Sequence, residues 1–332
     1  MMTIVVIAVA LALLFDFFNG MNDAANSIAT VVSTKVLSPL TAVLWAAMWN
    51  FAAAFFFGVH VATTVGKGIV EPHAVNEYLI LASLIGSIVW VYACTHLGLP
   101  ISVSHALIGG LIGPALVKNG SSVLIMLGII KVSVFIVLSP LLGFVIAYFI
   151  MILTLLIVRK TAPLRVENTF RVLQLFSSAV FSLGHGSNDA QKTMGIISVL
   201  LFSTGMIGPQ FYVPTWVIFA AYSAIALGTL TGGWKVIRTI GVGLTDLKPV
   251  HGFVAETAGA STLIFTALLG IPVSTTHTIT GAIIGVGITR SFGSVRWKLA
   301  KKIVWAWVLT IPSTLVISAL VYLLLRLFIP GI

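Results

Sequence analysis

Two stretches carry most of the chemistry this chain offers. They read Gly20-Met21-Asn22-Asp23-Ala24-Ala25-Asn26 and Gly186-Ser187-Asn188-Asp189-Ala190-Gln191-Lys192. Each sets an Asn-Asp pair just after a glycine, in the middle of a long apolar run. An ionised side chain at the centre of a membrane helix costs about 2.5–3.5 kcal/mol on insertion scales, so an acid retained there twice marks a site. Asp23 and Asp189, with the amide oxygens of Asn22, Asn26 and Asn188, are hard oxygen donors that suit alkali and alkaline-earth cations, not zinc or copper. Glycine followed by Asn-Asp also predicts a helix break at both places, since glycine tolerates the break and Asn or Asp caps the next helix. The freed backbone carbonyls would then join the side chains around a cation.

A second pair of stretches has the opposite charge preference. Pro100-Ile101-Ser102-Val103-Ser104-His105 and Pro272-Val273-Ser274-Thr275-Thr276-His277 each put a proline and hydroxyls at a helix start. A helix beginning there aims its free amides and positive dipole end at whatever lies beyond, which makes an anion site. Ser104 and Thr276, at equivalent positions, add hydroxyl donors from two sides, with Ser102 and Thr275 beside them. His105 and His277 have no second His or Cys at ligand spacing, so a packing or supporting role fits them better than metal binding. The second copy alone carries a long donor and a cation, because Gln191 aligns with Ala25 and Lys192 with Asn26. Gln191 is the better anion donor, whereas Lys192 at that depth needs an anionic partner, either Asp189 or a substrate. Glu256, inside another apolar run, is a further candidate cation ligand or gating residue. Its equivalent in the first copy is Leu84.

The elements that must hold these residues are membrane helices. With 59% hydrophobic and 8% charged residues and a mean hydropathy of +1.13, the chain has too little polar surface to cover a soluble globule. Apolar runs near 2–34, 40–59, 77–97, 101–117, 121–158, 169–205, 211–232, 251–269, 271–289 and 299–329 predict an all-α polytopic membrane protein. The first run lacks a basic start and a small-residue cleavage site, and reads as a helix rather than a signal peptide. The lone Cys94 excludes an internal disulfide. The net charge of +10 lies mostly in short polar connections, where it reports orientation and not nucleic-acid binding.

The motifs recur at a spacing of 166 residues from Asp23 to Asp189 and 172 from His105 to His277. The same register continues through Gly109/Gly281, Gly113/Gly285 and Pro140/Pro312. The chain therefore divides into a first repeat at 1–158, a linker at 159–168 and a second repeat at 169–332. By the positive-inside rule the basic segments 159–171, 235–248 and 290–302 face the cytoplasm and both termini lie outside. Each copy then crosses an odd number of times, and the two have opposite orientation. This predicts an inverted-topology repeat with two broken helices and two re-entrant helical hairpins around a midplane site.

With these motifs the chain resembles the PiT family of inorganic phosphate transporters. The duplicated Gly-x-Asn-Asp motif and the paired Pro-x-Ser-x-(Ser/Thr)-His tips match over essentially the whole chain. The resemblance implies a homodimeric carrier of the cell (inner) membrane that binds inorganic phosphate between hairpins and broken helices and moves it with cations. It assigns phosphate to Ser104, Gln191 and Thr276, with Ser102 and Thr275, and sodium to Asn22, Asp23, Asn26, Asn188 and Asp189. Lys192, His105, His277 and Glu256 are left supporting or gating roles. The expected partners are phosphate, sodium ions and the lipid bilayer, with no resident cofactor and no nucleic acid. Many relatives carry a large hydrophilic loop between the halves, whereas the joint here is about ten residues.

Relatives use sodium or protons, and one branch is linked to sulfate, so proton-coupled phosphate symport and sulfate transport stand as alternatives. Asp23, Asp189 and a phosphate dianion sum to −4, which Lys192 brings only to −3. Two like charges about 4 Å apart repel by about 4 kcal/mol at an effective dielectric of 20. Cations must therefore enter with the anion, or the acids must be protonated. An intramembrane enzyme would need a nucleophile and a base. Ser104 and His105 are adjacent on a helix and do not face each other, and no His-Glu-x-x-His or Gly-x-Ser-x-Gly motif is present. A channel would not need two opposed hairpins around one site.

Overall fold

The computed structural model describes residues 2–329. Twelve α-helices form among the described residues, in two sets of six with the same order of long and short elements. The first set is α1 (Met2–Ser33), α2 (Pro39–Ala52), α3 (His60–Gly68), α4 (Glu77–Leu97), α5 (Val103–Asn119) and α6 (Met126–Val158). The second is α7 (Pro163–Ser203), α8 (Thr215–Thr231), α9 (Trp234–Gly241), α10 (Pro249–Leu268), α11 (Thr275–Ile288) and α12 (Trp297–Phe328). On α6 and α12 the exposed side chains include Leu127, Val137, Phe149, Leu324 and Leu327, the surface a helix presents to lipid. In α7 the pattern is reversed, since every residue from Gly184 to Leu201 is buried, polar or not.

The two motif helices do not break where the sequence predicts. α1 and α7 run unbroken through Gly20 and Gly186. The glycines serve a different need: a Cβ at Gly20 would lie 2.1 Å from the Ile225 carbonyl oxygen of α8, and one at Gly186 would lie 2.6 Å from the Asn50 oxygen of α2. They are the points at which helices of opposite sets touch backbone to backbone, the use small residues have between membrane helices. With the helical ladder intact, α1 and α7 offer a cation their side chains and not the expected freed carbonyls. Two broken spans are present, but they lie elsewhere. The α2 segment bends by 83° into α3, and α8 bends by 75° into α9.

The hairpins α4–α5 and α10–α11 are lopsided. At 21 and 20 residues, α4 and α10 are each about 30 Å long at 1.5 Å per residue, enough to cross a bilayer. The return limb of each starts inside the fold. Gly98 (φ 69°) and Gly270 (φ 64°) take the left-handed conformation that closes each first leg. The Leu99 and Ile271 amides then donate to Cys94 and Thr266 carbonyls at 2.9 Å. An extended segment runs inward, and α5 and α11 begin deep in the fold.

The two tips meet head to head. Thr276 Oγ1 donates to the Ile101 carbonyl at 3.0 Å, and its equivalent Ser104 Oγ donates to the Val273 carbonyl, the equivalent of Ile101, at 3.4 Å. The His105 and His277 rings pack edge to face between them, 4.9 Å apart. Each return helix is supported by the other set, α5 by α12 and α11 by α6. The turn of the first hairpin is held by α9, where Lys235 Nζ donates to the His96 carbonyl and Thr239 Oγ1 to the Gly98 carbonyl, both at 2.9 Å. The turn of the second lies against α3 at His60 and Thr64.

Candidate functional site

Because α7 stays helical, His185, Asp189 and Lys192 fall four and three residues apart on one face. That face meets α1 and both tips. Lys192 directs its three protons to Asp189 Oδ1, to Ser104 Oγ at 2.5 Å and to the Val273 carbonyl at 2.9 Å. A lysine this deep is thus fully paired, as an intramembrane charge must be. Asp189 also has His185 Nε2 at 3.3 Å from its Oδ2, and the same imidazole nitrogen is 4.0 Å from Asp23 Oδ2. His185 Nδ1 is held by the side-chain oxygen of Asn50 at 3.1 Å.

Among the described residues, Asp23 pairs with no lysine or arginine. Its carboxylate meets the hydroxyls at the start of α11, with Thr276 Oγ1 at 3.2 Å and Thr275 Oγ1 at 3.3 Å. Thr275 Oγ1 also lies 3.2 Å from Asp189 Oδ2, so it bridges the two acids. The Asn26 amide donates to both hydroxyls, at 3.1 Å to Thr275 and 3.0 Å to Thr276, which leaves the Thr275 proton for a carboxylate and the Thr276 proton shared between Asp23 and the Ile101 carbonyl. Its oxygen accepts no hydrogen bond from the described residues. Asp23, His185 and Asp189 offer ligand atoms within 4.8 Å of one another.

Other sequence candidates fall around this centre or away from it. Ser102 Oγ, like Ser274 Oγ, accepts from the amide three residues on, at 3.3 Å from His105 or His277. Each caps its helix with the oxygen and keeps its own hydroxyl proton to donate. Gln191 turns its oxygen to the Val61 and Ala62 amides, at 2.9 and 3.3 Å, capping α3 and leaving only its Nε2 for an anion. Asn22 donates to Thr95 Oγ1 at 2.7 Å. Neither side-chain polar atom of the buried Asn188 has a partner among the described residues. His277 stacks on Trp307, with ring centroids 3.8 Å apart, and pairs with the Ile136 carbonyl at 3.2 Å. Glu256 belongs to a separate cluster. Thr30 Oγ1 at 2.6 Å and the Gln174 amide at 2.9 Å donate to its Oε1, and Ser177 Oγ at 2.5 Å donates to its Oε2. His185 joins the centre although it lies outside the two Gly-x-Asn-Asp motifs. Its signal was the four-residue spacing to Asp189, hidden by the assumption of a break between them.

A buried charged centre where two duplicated return limbs meet, inside a polytopic apolar chain, defines a membrane transporter. The Phosphate transporter family matches twice in succession, over residues 19–165 and 158–318. The chain belongs to that family, which is one of transporters and not of enzymes. It is similar to a probable low-affinity inorganic phosphate transporter of Rhizobium meliloti (strain 1021), with 56% identity over 95% of this chain and 94% of the relative. A protein of the same description from Bacillus subtilis (strain 168) is 38% identical over 98% of both chains. Among solved structures, one described as the sodium-dependent phosphate transporter matches with a TM-score of 0.89 and 29% identity, over 98% of this chain and 100% of that one.

Proposed function

We propose that this chain moves inorganic phosphate across the cell membrane together with sodium ions, by alternating access around the centre where the two tips meet. The observation that carries the reading is the convergence of the N-termini of α5 and α11 on Asp23, Asp189 and Lys192. The Ser102 and Ser274 caps satisfy only the third amide of each helix. The amides of Val103, Ser104, Thr275 and Thr276 stay outside the helical ladder and suit a tetrahedral oxyanion. Ser104, Thr276 and the Gln191 Nε2 are the side-chain donors that hold phosphate. Lys192 balances Asp189 and positions Ser104.

Sodium is held by oxygen from Asp23, Asp189, Thr275 and Asn26. Hard cations of similar size sit about 2.3–2.6 Å from oxygen, so ligands on opposite sides stand about 5 Å apart, comparable to the 4.8 Å spread of the acid cluster. Asp23, Asp189 and Lys192 carry a net −1, a phosphate dianion makes −3, and two sodium ions return the centre to −1. Both termini and α3 face outward, the joint between α6 and α7 and helix α9 face the cytoplasm, and the carrier works as a homodimer. Counter-flow of labelled phosphate in proteoliposomes tests the reading. Exchange should require sodium, and replacing it with choline should abolish exchange. Full exchange in choline driven by a pH gradient would assign the coupling to protons instead.

A further inference from the structure

Above Asp23 on the same face of α1 stands a second acid that the proposed mechanism does not use. Asp16, Asn19, Asp23, Asn26 and Thr30 follow one another at alternating steps of three and four residues, and all are buried, so they form a single polar stripe along the helix. Asp16 is inaccessible to solvent. The Asn19 amide donates to its Oδ1 at 3.2 Å, but Asp16 Oδ2 and Asn19 Oδ1 meet no donor among the described residues. The hydroxyl of Thr193, one turn beyond Asp189 on α7, faces the same carboxyl group, and the buried Tyr222 of α8 lies in its neighbourhood. These two hydroxyls also lack partners. The nearest charges are Asp189 and Lys192, and all three protons of Lys192 are engaged elsewhere.

Asp16 Oδ2 and three further oxygens, of Asn19, Thr193 and Tyr222, are thus buried without partners, and no lysine, arginine or histidine among the described residues pairs with the carboxylate. Buried polar atoms are nearly always satisfied, and a buried carboxylate left unpaired is among the costliest exceptions. Water alone would hydrate the oxygens but leave the charge. The donor set is all oxygen, from a carboxylate, an amide and hydroxyls, which is the chemistry of a hard cation. One carboxylate rather than two or three favours a single positive charge.

We propose that Asp16, Asn19 and Thr193, with Tyr222 behind them, form a second sodium station, two helical turns from Asp23 and on its outer side. The station deepens the sodium-coupled reading and rests on it. A cation here shares the field of Asp189 without touching the anion. It adds a further sodium to those held at Asp23 and brings the charge of the loaded carrier closer to zero.

The test is equilibrium binding of radioactive sodium to the purified full-length protein in nanodiscs, with and without inorganic phosphate, alongside sodium activation of uptake in proteoliposomes. Asp16→Asn should lower the bound sodium by about one ion per chain, reduce the Hill coefficient for sodium activation and shrink the rise in melting temperature that sodium causes. In sodium-free buffer it should melt no lower than the parent protein, which separates loss of the ion from misfolding. Thr193→Val, which leaves the charge intact, should weaken the same class of sites about tenfold. Unchanged sodium stoichiometry and Hill coefficient in Asp16→Asn would overturn the station. So would a variant that keeps its sodium but loses the pH dependence of uptake, because the occupant would then be a proton. If the parent protein binds no sodium at all, it is the sodium-coupled reading that fails.

Discussion

The finest discrimination this centre can make belongs to single side chains. Amides and hydroxyls at the two tips accept any tetrahedral oxyanion, so they do not distinguish phosphate from sulfate. A carboxylate does. Phosphate near neutral pH keeps a P–OH proton that Asp23 can accept, whereas sulfate offers only lone pairs and leaves the buried carboxylate facing like charge. Removing a hydroxyl by Ser104→Ala or Thr276→Val should therefore weaken phosphate and arsenate together, by about tenfold for one lost charge-assisted hydrogen bond. Asp23→Asn should instead narrow the gap between phosphate and sulfate in competition assays. Sulfate competing equally with phosphate in the unmutated protein would end the carboxylate argument. At this scale the sequence was a good guide to which residues gather, because types as costly as Asp23, Asp189 and Lys192 in an apolar run have few other reasons to be there. It was a poorer guide to what each does. Ser102 also caps α5 and the Gln191 oxygen also braces α3, contacts set by amides that the residue types alone do not reveal.

Among elements, the lesson lies in the glycines. Gly20 and Gly186 look like helix breakers when read along one strand of sequence, but their cause is a neighbour some two hundred residues away for one and more than a hundred for the other. Gly20 meets Ile225, and Gly186 meets Asn50. No local signal separates a glycine that bends a helix from one that lets another backbone approach. Gly20→Ala should push α1 from α8 and destabilise the protein by about 1–3 kcal/mol, with a lower melting temperature and weakened phosphate uptake. Gly120→Ala is the contrasting control. Nothing lies within 4 Å of a Cβ there, so any loss comes from its positive φ alone and phosphate uptake by the folded fraction should persist. If Gly20→Ala melts like the parent protein, the close crossing of α1 and α8 is not what holds the motif helices in place. The hairpin tips were more legible, because proline, a capping serine and a glycine turn act locally. The lengths of α4 and α10 were legible too, in the apolar runs 77–97 and 251–269.

For the whole molecule, the repeat in the sequence agrees with two sets of six helices in the same order, and the distribution of charge predicts an orientation. Arg159, Lys160 and Arg165 mark the joint before and at the start of α7, while Lys235 and Arg238 lie on α9 and Lys248 follows it. The opposite side has Lys67 and Lys118. A single cysteine at Ala162 or Gln210, in a background lacking Cys94, should react with an impermeant maleimide only from the inside in the first case and only from the outside in the second. Labelling of both from one face would contradict opposed orientation of the two halves.

The central claim is that phosphate and sodium occupy one centre and stabilise each other there. Linkage makes that claim measurable, because a cation that raises affinity for an anion must have its own affinity raised by the same factor. The direct test is phosphate binding to the purified protein, titrated across a range of sodium concentrations at constant ionic strength. Phosphate affinity should rise with more than the first power of sodium concentration, with the exponent falling in Asp23→Asn. Phosphate binding that is equally tight with sodium or choline would contradict the account.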